Sequence, residues 1–324
     1  MLTTEEIFNA SSQDFEHLAL SVFRLQYEQV SVFREYCNLV GKNLSNVQSL
    51  SDIPFLPIEL FKTQDVLIND AVAQISFESS ATTGQVTSKH HVANLAVYEA
   101  SFMKCFLDFY GAPSDYIFLA LLPSYLERSN SSLVYMMNQL IAESEHKLSG
   151  FFMNDFEKLN ATIKSAKVTN RKLFLIGVTY ALLDFAEQYP QDLSDTIIME
   201  TGGMKGRRAE ILREEVHGIL KLKFGVPNIH SEYGMTELLS QAYSKGDGVF
   251  HCPDWMKVLI RDPYDPTQVN ETGSGGINII DLANINSCSF IATSDMGRKI
   301  NKDTFAVLGR LHDAEIRGCN LMYS

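Results

Sequence analysis

The sequence predicts an α/β protein: a mostly parallel sheet flanked by helices, joined to a smaller antiparallel β-subdomain. Three observations carry this. From Gln74 to His230, short apolar or alternating runs take turns with stretches of helical periodicity. Strands that alternate with helices form parallel sheets covered on their faces. After Lys245 the chain turns Gly-, Asp-, Asn- and Pro-rich, and helical periodicity disappears. Finally, 324 residues with 45% hydrophobic and 20% charged content supply a core of ordinary size, which excludes disordered, collagenous and coiled-coil classes. The expected division is an α/β body over residues 1–245 and a β-subdomain with tail over 246–324.

The elements follow in order. Ser12 or Asp14 can cap a helix with apolar positions at Phe15, Leu18, Ala19, Val22, Phe23, Val30 and Phe33, ended near Gly41; threes and fours place these on one face. Two prolines in Ile53–Ile58 forbid regular helix, so this segment is extended. Gln74–Phe77 and Ser88–Val92 read as strands flanking a Ser/Thr/Gly loop. Helices are expected at Ala93–Tyr110, Ser131–Ala142, Asp155–Ala166, after Gly177 through Gln188, and at Arg207–Lys221. Strands are expected at Tyr116–Leu122, Lys172–Gly177, Thr196–Met199 and from Pro227. Beyond Lys245, strand candidates are Met256–Arg261, Gly276–Ile280, Ser289–Ala292 and Phe305–Leu308. Phe102, Phe106, Phe109 and Tyr110 recur at helical spacing and read as core rather than as an acyl tunnel.

Charge and cysteine usage narrow the function classes. The net charge is −12, from 39 acidic and 27 basic residues, which argues against nucleic acid as a partner and against anionic membrane surfaces. No apolar run is long enough for a membrane span, and the N-terminus lacks the features of a signal peptide. Cys37, Cys105, Cys252, Cys288 and Cys319 are scattered and never in CxxC spacing. That fits a reducing, cytoplasmic setting without a disulfide framework.

Four segments carry chemistry. Residues 79–89, Ser-Ser-Ala-Thr-Thr-Gly-Gln-Val-Thr-Ser-Lys, place a set of hydroxyls, a glycine and a lysine between two strands. Such a loop offers hydroxyl and N–H donors to phosphate oxygens, with Lys89 adding charge. Taken alone it reads sooner as a solvated turn, and it is not a Walker loop. Residues 231–237, Ser-Glu-Tyr-Gly-Met-Thr-Glu, follow a strand. Glu237 beside a hydroxyl suits Mg²⁺ next to phosphates, and Tyr233 could stack on a base; the plainer alternative is a helix start capped by Thr236. Thr293-Ser294-Asp295 offers a carboxylate for a ribose diol or merely a turn. Gly309-Arg310-Leu311-His312-Asp313, with Arg317-Gly318-Cys319 beyond it, closes the chain. His90 and His91 read as sheet residues rather than ligands. Cys252 beside His251 reads as structural, Trp255 as packing, and Lys205, Arg207 and Arg208 as a helix start or a phosphate contact.

In this order, the four segments and the Thr201-Gly202-Gly203 strand end resemble the adenylate-forming (acyl-CoA synthetase-like) superfamily. Ala81 and Ser294 stand where its usual patterns have glycine. Within it, Pro54-Phe55-Leu56-Pro57-Ile58, the Leu-Leu-Pro-Ser-Tyr-Leu-Glu-Arg run at 121–128, the Gly-Gly-Met-Lys-Gly turn at 202–206 and the Arg-Gly-Cys ending are similar to the acyl-protein synthetase (long-chain-fatty-acid–protein ligase) branch. Phenylacetate-CoA-ligase-type proteins share much of this.

The resemblance implies the superfamily's large-domain fold, with ATP and Mg²⁺ as cofactors and a fatty or other carboxylic acid as substrate. It implies Ser79, Ser80, Thr82, Thr83, Gly84 and Lys89 around the phosphates, Glu237 and Thr236 on Mg²⁺, Gly202, Gly203, Glu232, Tyr233 and Gly234 at the adenine, and Asp295 and Arg310 at the ribose. Fourteen residues follow Arg310, so the C-terminal lid domain of CoA ligases and its lysine are expected to be absent. Lys89, Lys205 or Arg310 is expected to compensate. Cys319 is then the expected acyl acceptor, with Arg317 or His312 promoting the thiolate and an acyl-CoA-reductase-like protein as the onward partner. The alternative is a phenylacetate/acyl-CoA-ligase-like enzyme that makes acyl-adenylate for CoA or a carrier protein. A non-catalytic nucleotide-binding protein is disfavoured by intact Lys89, Glu237, Asp295 and Arg310.

Overall fold

The computed structural model describes residues 3–11, 13–79, 86–123, 130–204, 207–209, 211–265 and 267–311. In chain order the helices are α1 (Thr4–Phe8), α2 (Phe15–Gln29), α3 (Ser31–Leu39), α4 (Leu95–Tyr110), α5 (Ser132–Glu143), α6 (Phe156–Ala166), α7 (Thr179–Gln188) and α8 (Arg213–Phe224). The strands are β1 (Leu56–Pro57), β2 (Ile75–Glu78), β3 (Lys89–Val92), β4 (Tyr116–Leu121), β5 (Gly150–Phe151), β6 (Lys172–Val178), β7 (Thr196–Thr201), β8 (His230–Tyr233), β9 (Ala242–Ser244) and β10 (Val249–His251). They continue with β11 (Met256–Arg261), β12 (Val269–Asn270), β13 (Gly273–Asp281), β14 (Phe290–Lys299) and β15 (Thr304–Arg310).

The chain divides into two compact units. One comprises residues 1–101, 235–240 and 251–324; the other comprises 102–234 and 241–250. In the second unit β4, β6, β7 and β8 pair in parallel, β5 joins β4, and β9 returns antiparallel on β8. β4 and most of β6 are buried residue after residue, as expected of strands covered on both faces. Phe102 and Phe106 are buried, and the Phe106 ring lies 5.5 and 5.6 Å from those of Phe118 and Phe174, so this helix face belongs to the core.

In the first unit, β11, β12, β13, β14 and β15 form an antiparallel sheet, and β1 adds to β14 in parallel through Leu56 and Pro57. The proline-rich segment is thus extended, as its sequence predicts. β2 and β3 make a separate antiparallel hairpin. Phe33 lies 5.7 Å from Phe290, stacked, while Phe23 and Phe55 meet the same ring edge-on. Gln26 is fully buried: its Nε2 donates to the Asn284 and Ile285 carbonyls, and its Oε1 accepts from Ser289 N. The N-terminal helices are thereby fastened to the turn at 284–289.

Three expected elements differ. The first long helix is two, because Val30 is extended (φ −109°, ψ 99°) and the Gln29 carbonyl accepts from Asn69 N instead of continuing the helix. The helix expected from Arg207 starts at Arg213. Arg208 instead turns its guanidinium to Asp184 and Glu187, contacts that hold the chain ahead of the helix. The strand expected from Pro227 starts at His230. β14 also runs through Thr293–Asp295, so this motif is strand rather than turn.

One buried group organises the first unit. The Asp281 carboxylate accepts from Leu239 N at 2.9 Å, Ser240 N at 3.0 Å, Ser240 Oγ at 2.6 Å and Ala283 N at 3.1 Å. Burial pushes its carboxyl up to about 6, against the lowering effect of these bonds. Asp281→Ala leaves three buried N–H donors unpaired. At about 1–3 kcal/mol for each unsatisfied group, equilibrium denaturation is expected to show a loss of at least about 3 kcal/mol. A loss under about 1 kcal/mol would contradict this role.

Candidate active site

Residues of all four sequence motifs lie in the first unit. The β2–β3 hairpin closes at Ser79 and Ser88: Ser79 N donates to the Ser88 carbonyl at 3.0 Å, and Ser88 N donates to Ser79 Oγ at 2.9 Å. Ser88 is buried, and its hydroxyl favours the ionised form of the Glu237 carboxyl. Glu237 is itself buried. Burial pushes its carboxyl up, opposed by Ser88 and by the charges of Arg310 and Lys62. Segment 235–240 is not a helix start, so the capping role for Thr236 is excluded.

The third and fourth motifs meet through strand register. Asp295 on β14 is opposite Arg310 on β15, and Arg310 Nε lies 3.2 Å from Asp295 Oδ1. Side chains directly opposite on an antiparallel pair are close enough to interact. Thr293 Oγ1 donates to the Ile277 carbonyl and accepts from Asp295 N, which orients Asp295. Ser294, in place of the usual glycine, donates to Glu59 Oε1 at 2.6 Å. Lys89 is half-exposed and 3.9 Å from Glu78, a weak surface pairing.

The second unit holds the remaining predicted residues. Gly202 and Gly203 follow β7, both left-handed (φ 77° and 71°) and exposed, a backbone that favours glycine. On β8, Tyr233 is buried with its ring 5.8 Å from Phe250, so in this structure it packs inward. A Cβ on Gly234 would sit 2.3 Å from Glu232 Oε1; glycine lets the carboxylate fold against the backbone. Thr201 Oγ1 donates to Glu232 Oε2 at 2.6 Å. Residue 232 keeps some surface exposure while its carboxyl group is enclosed, and burial pushes the group up to about 7, helped by Glu200. Burial also opposes ionisation of Glu200. There, hydrogen bonds from His217 and Ser231 and the Arg213 charge win, and its carboxyl is held below the usual range.

Sequence reasoning missed Lys62, Ser88 as a partner of Glu237, Glu200, Asp281 and Asn284. His90 is a sheet residue on β3, as expected, but its Nδ1 also meets the Thr236 carbonyl at 2.8 Å. His91 contacts Ser76 and Asp65. Ser12, Ser80, Thr82, Thr83, Gly84, Lys205, His312, Arg317 and Cys319 lie outside the described residues. Burial pushes the thiols of Cys37 and Cys252 up to about 12, and that of Cys288 up as well. Cys105 Sγ donates to the Gln241 carbonyl. Trp255 is buried, as its packing role predicts. Among the described residues no group of His, Cys, Asp and Glu could hold a metal by itself, and no helix is long and apolar enough to cross a membrane. A carboxylate beside a threonine hydroxyl is a hard-oxygen donor set that suits Mg²⁺ when phosphate supplies the other oxygens, and a cation there would offset the burial of Glu237.

The fold is that of the adenylate-forming ligases. The crystal structure of ATP-bound MatB from Rhodopseudomonas palustris superposes with a TM-score of 0.57 at 16% identity, covering 76% of this chain and 50% of that one. O-succinylbenzoate coenzyme A synthetase (MenE) from Bacillus subtilis, in complex with ATP and magnesium ion, gives 0.51 at 17% identity, covering 76% and 52%. A long-chain-fatty-acid-CoA ligase (FadD1) from Archaeoglobus fulgidus gives 0.50 at 16% identity, covering 72% and 51%. The matched region thus spans about half the length of these structures. The profile of the family described as "Acyl-protein synthetase, LuxE" matches residues 6–324, and the chain belongs to that family. No curated protein matches the sequence.

Glu232 yields a pH prediction. An exposed carboxyl ionises near 4.5, whereas this one stays protonated in the fold to about pH 7. Its contribution to stability is full below about pH 4.5 and is lost as pH rises through 7. Glu232→Gln is therefore expected to gain on wild type across that window, by no more than about 3 kcal/mol. Denaturation at several pH values checks this; parallel pH profiles would contradict it.

Proposed function

We propose that this chain is an ATP-dependent acid–thiol ligase of the long-chain-fatty-acid–protein type. It activates a fatty acid as its acyl-adenylate, takes the acyl group onto Cys319 and passes it to an acyl-CoA-reductase-like partner. The observation that carries this reading is the convergence on Glu237. The Ser88 hydroxyl of the phosphate-loop hairpin and the charge of Arg310, itself paired with Asp295, both favour the ionised form of its carboxyl. Membership of the acyl-protein synthetase family supports the protein acceptor.

The chemistry follows from the residue types. A substrate carboxylate oxygen bonds to the α-phosphorus of ATP, and the bond to pyrophosphate breaks. Such a step depends chiefly on positioning and charge stabilisation. In this reading Glu237 and Thr236 hold Mg²⁺, which supplies neutralisation of phosphate charge when bound. Ser79, Ser80, Thr82, Thr83, Gly84 and Lys89 donate to phosphate oxygens. Asp295 accepts from the ribose hydroxyls while Arg310 keeps its carboxylate oriented. Gly202, Gly203, Glu232, Tyr233 and Gly234 border the adenine. The Cys319 sulfur then bonds to the acyl carbon, AMP leaves, and the thiol proton passes to a base. Cys37, Cys252 and Cys288 fit this division, because burial keeps them as thiols, whereas attack requires a thiolate.

Two tests follow. Asp295→Asn and Arg310→Ala are expected to raise the KM for ATP tenfold or more in acid-dependent pyrophosphate release, a loss of about 1.4 kcal/mol of binding. An unchanged KM would remove the pair from the ribose site. For the acceptor, intact mass is measured after incubation with ATP, Mg²⁺ and a panel of acids. Wild type is expected to gain one acyl mass that hydroxylamine removes, and Cys319→Ala none. A Cys319→Ala protein that still acquires the label would overturn the acceptor. Pyrophosphate release without any adduct would favour delivery to CoA or a carrier protein.

A further inference from the structure

The Thr236–Glu237 pair is held from behind by two buried side chains. His90 on β3 and Asn284, in the short turn Leu282–Asn284 after β13, are both fully buried. His90 Nδ1 lies 2.8 Å from the Thr236 carbonyl. A carbonyl only accepts, so Nδ1 carries the proton and Nε2 presents a lone pair. Asn284 Nδ2 donates to the Glu237 carbonyl at 2.8 Å and the Cys288 carbonyl at 3.3 Å. Both partners are acceptors, which fixes the amide orientation and leaves Oδ1 as the acceptor end. His90 Nε2 and Asn284 Oδ1 have no hydrogen-bond partner among the described residues.

Both residues line one small pocket, partly open to solvent, with water-sized space of about 10 Å³, together with Leu239, Asn286 and Ser287. Buried polar groups are paired as a rule, yet two acceptors cannot pair with each other. The matching occupant has two hydrogens to give, and the cavity is close to the least volume that holds one water. The Phe61 ring, perpendicular to the His90 ring with centres 5.8 Å apart, adds apolar packing to the same imidazole.

We propose that His90 and Asn284 are positioning residues for Thr236 and Glu237, joined through one ordered water that donates to His90 Nε2 and Asn284 Oδ1. Two consecutive carbonyls are then fixed by side chains from separate elements, and the water makes the two grips one unit. Fixing these two carbonyls fixes the stretch of backbone that carries the Thr236 and Glu237 side chains. This inference rests on the reading of Thr236 and Glu237 as the Mg²⁺–ATP site.

The first test is a high-resolution crystal structure of the nucleotide-free protein. One water is expected within about 3 Å of both atoms; density touching neither or only one would overturn the bridge. The second is calorimetric titration with MgATP. His90→Ala and Asn284→Ala are each expected to weaken binding about 10–100-fold, as outer partners of metal ligands do. The double variant is expected to lose less than the product of the two, because they act through one water. His90→Asn, whose amide can reach the Thr236 carbonyl, is expected to recover part of the loss while keeping the fold. MgATP affinity unchanged in His90→Ala, or as weak in His90→Asn as in His90→Ala, would overturn the positioning role. A wild-type protein that binds no MgATP would sink the adenylation reading, while the crystallographic test of the water would still stand.

Discussion

Residues 239 and 240 have no choice of backbone path once Asp281 is buried. Its carboxylate accepts from both of their N–H groups, from the Ser240 hydroxyl and from Ala283 N. A buried carboxylate is tolerated only when its lone pairs are occupied, so four donors must converge on it. Trp255 Nε1 donates to the same Ser240 hydroxyl at 2.9 Å, and Ser101 shares it at 3.0 Å. Gln26 grips the carbonyl of Asn284, the residue after Ala283. The turn that carries Thr236 and Glu237 is therefore tied at its far end to the N-terminal helices, the β-sheet and the indole at once.

The second constraint is electrostatic. The protein is acidic overall, yet the Ser88 hydroxyl and the charges of Arg310 and Lys62 all favour the ionised form of Glu237. They only partly offset its burial. A carboxylate held where ionisation is unfavourable is a group waiting for positive charge, and perturbed groups of this kind gather at functional sites. Strand register does the rest: antiparallel pairing of β14 with β15 sets Asp295 opposite Arg310. Local hydrogen bonds and one ion pair thus convert motifs scattered over more than 230 residues, from Ser79 to Arg310, into neighbours.

Much of this was legible in the sequence, for identifiable reasons. Strand–helix alternation is a local, periodic signal, and most elements lie within a few residues of their expected bounds. The misplacements have non-local causes. Val30 breaks the first helix because Asn69, 39 residues on, takes the Gln29 carbonyl. Residues 207–209 are not helical, and Arg208 has carboxylates to satisfy on the preceding helix. The motif residues were readable because each motif is contiguous and its residue types match a chemistry. Asp281, Asn284, His90 and Lys62 were not, since single polar residues in apolar surroundings acquire meaning only through partners far along the chain. Membership of the acyl-protein synthetase family, matched over residues 6–324, agrees with the reading drawn from motif order.

The central claim is that the Glu237 constellation forms an acyl-adenylate. It is tested most directly by exchange of labelled pyrophosphate into ATP, which reports the first half-reaction whatever the acceptor. Exchange that requires a carboxylic acid, survives in Cys319→Ala and falls at least a hundredfold in Glu237→Gln is the predicted result. Exchange that is independent of added acid, or undiminished in Glu237→Gln, would contradict the account.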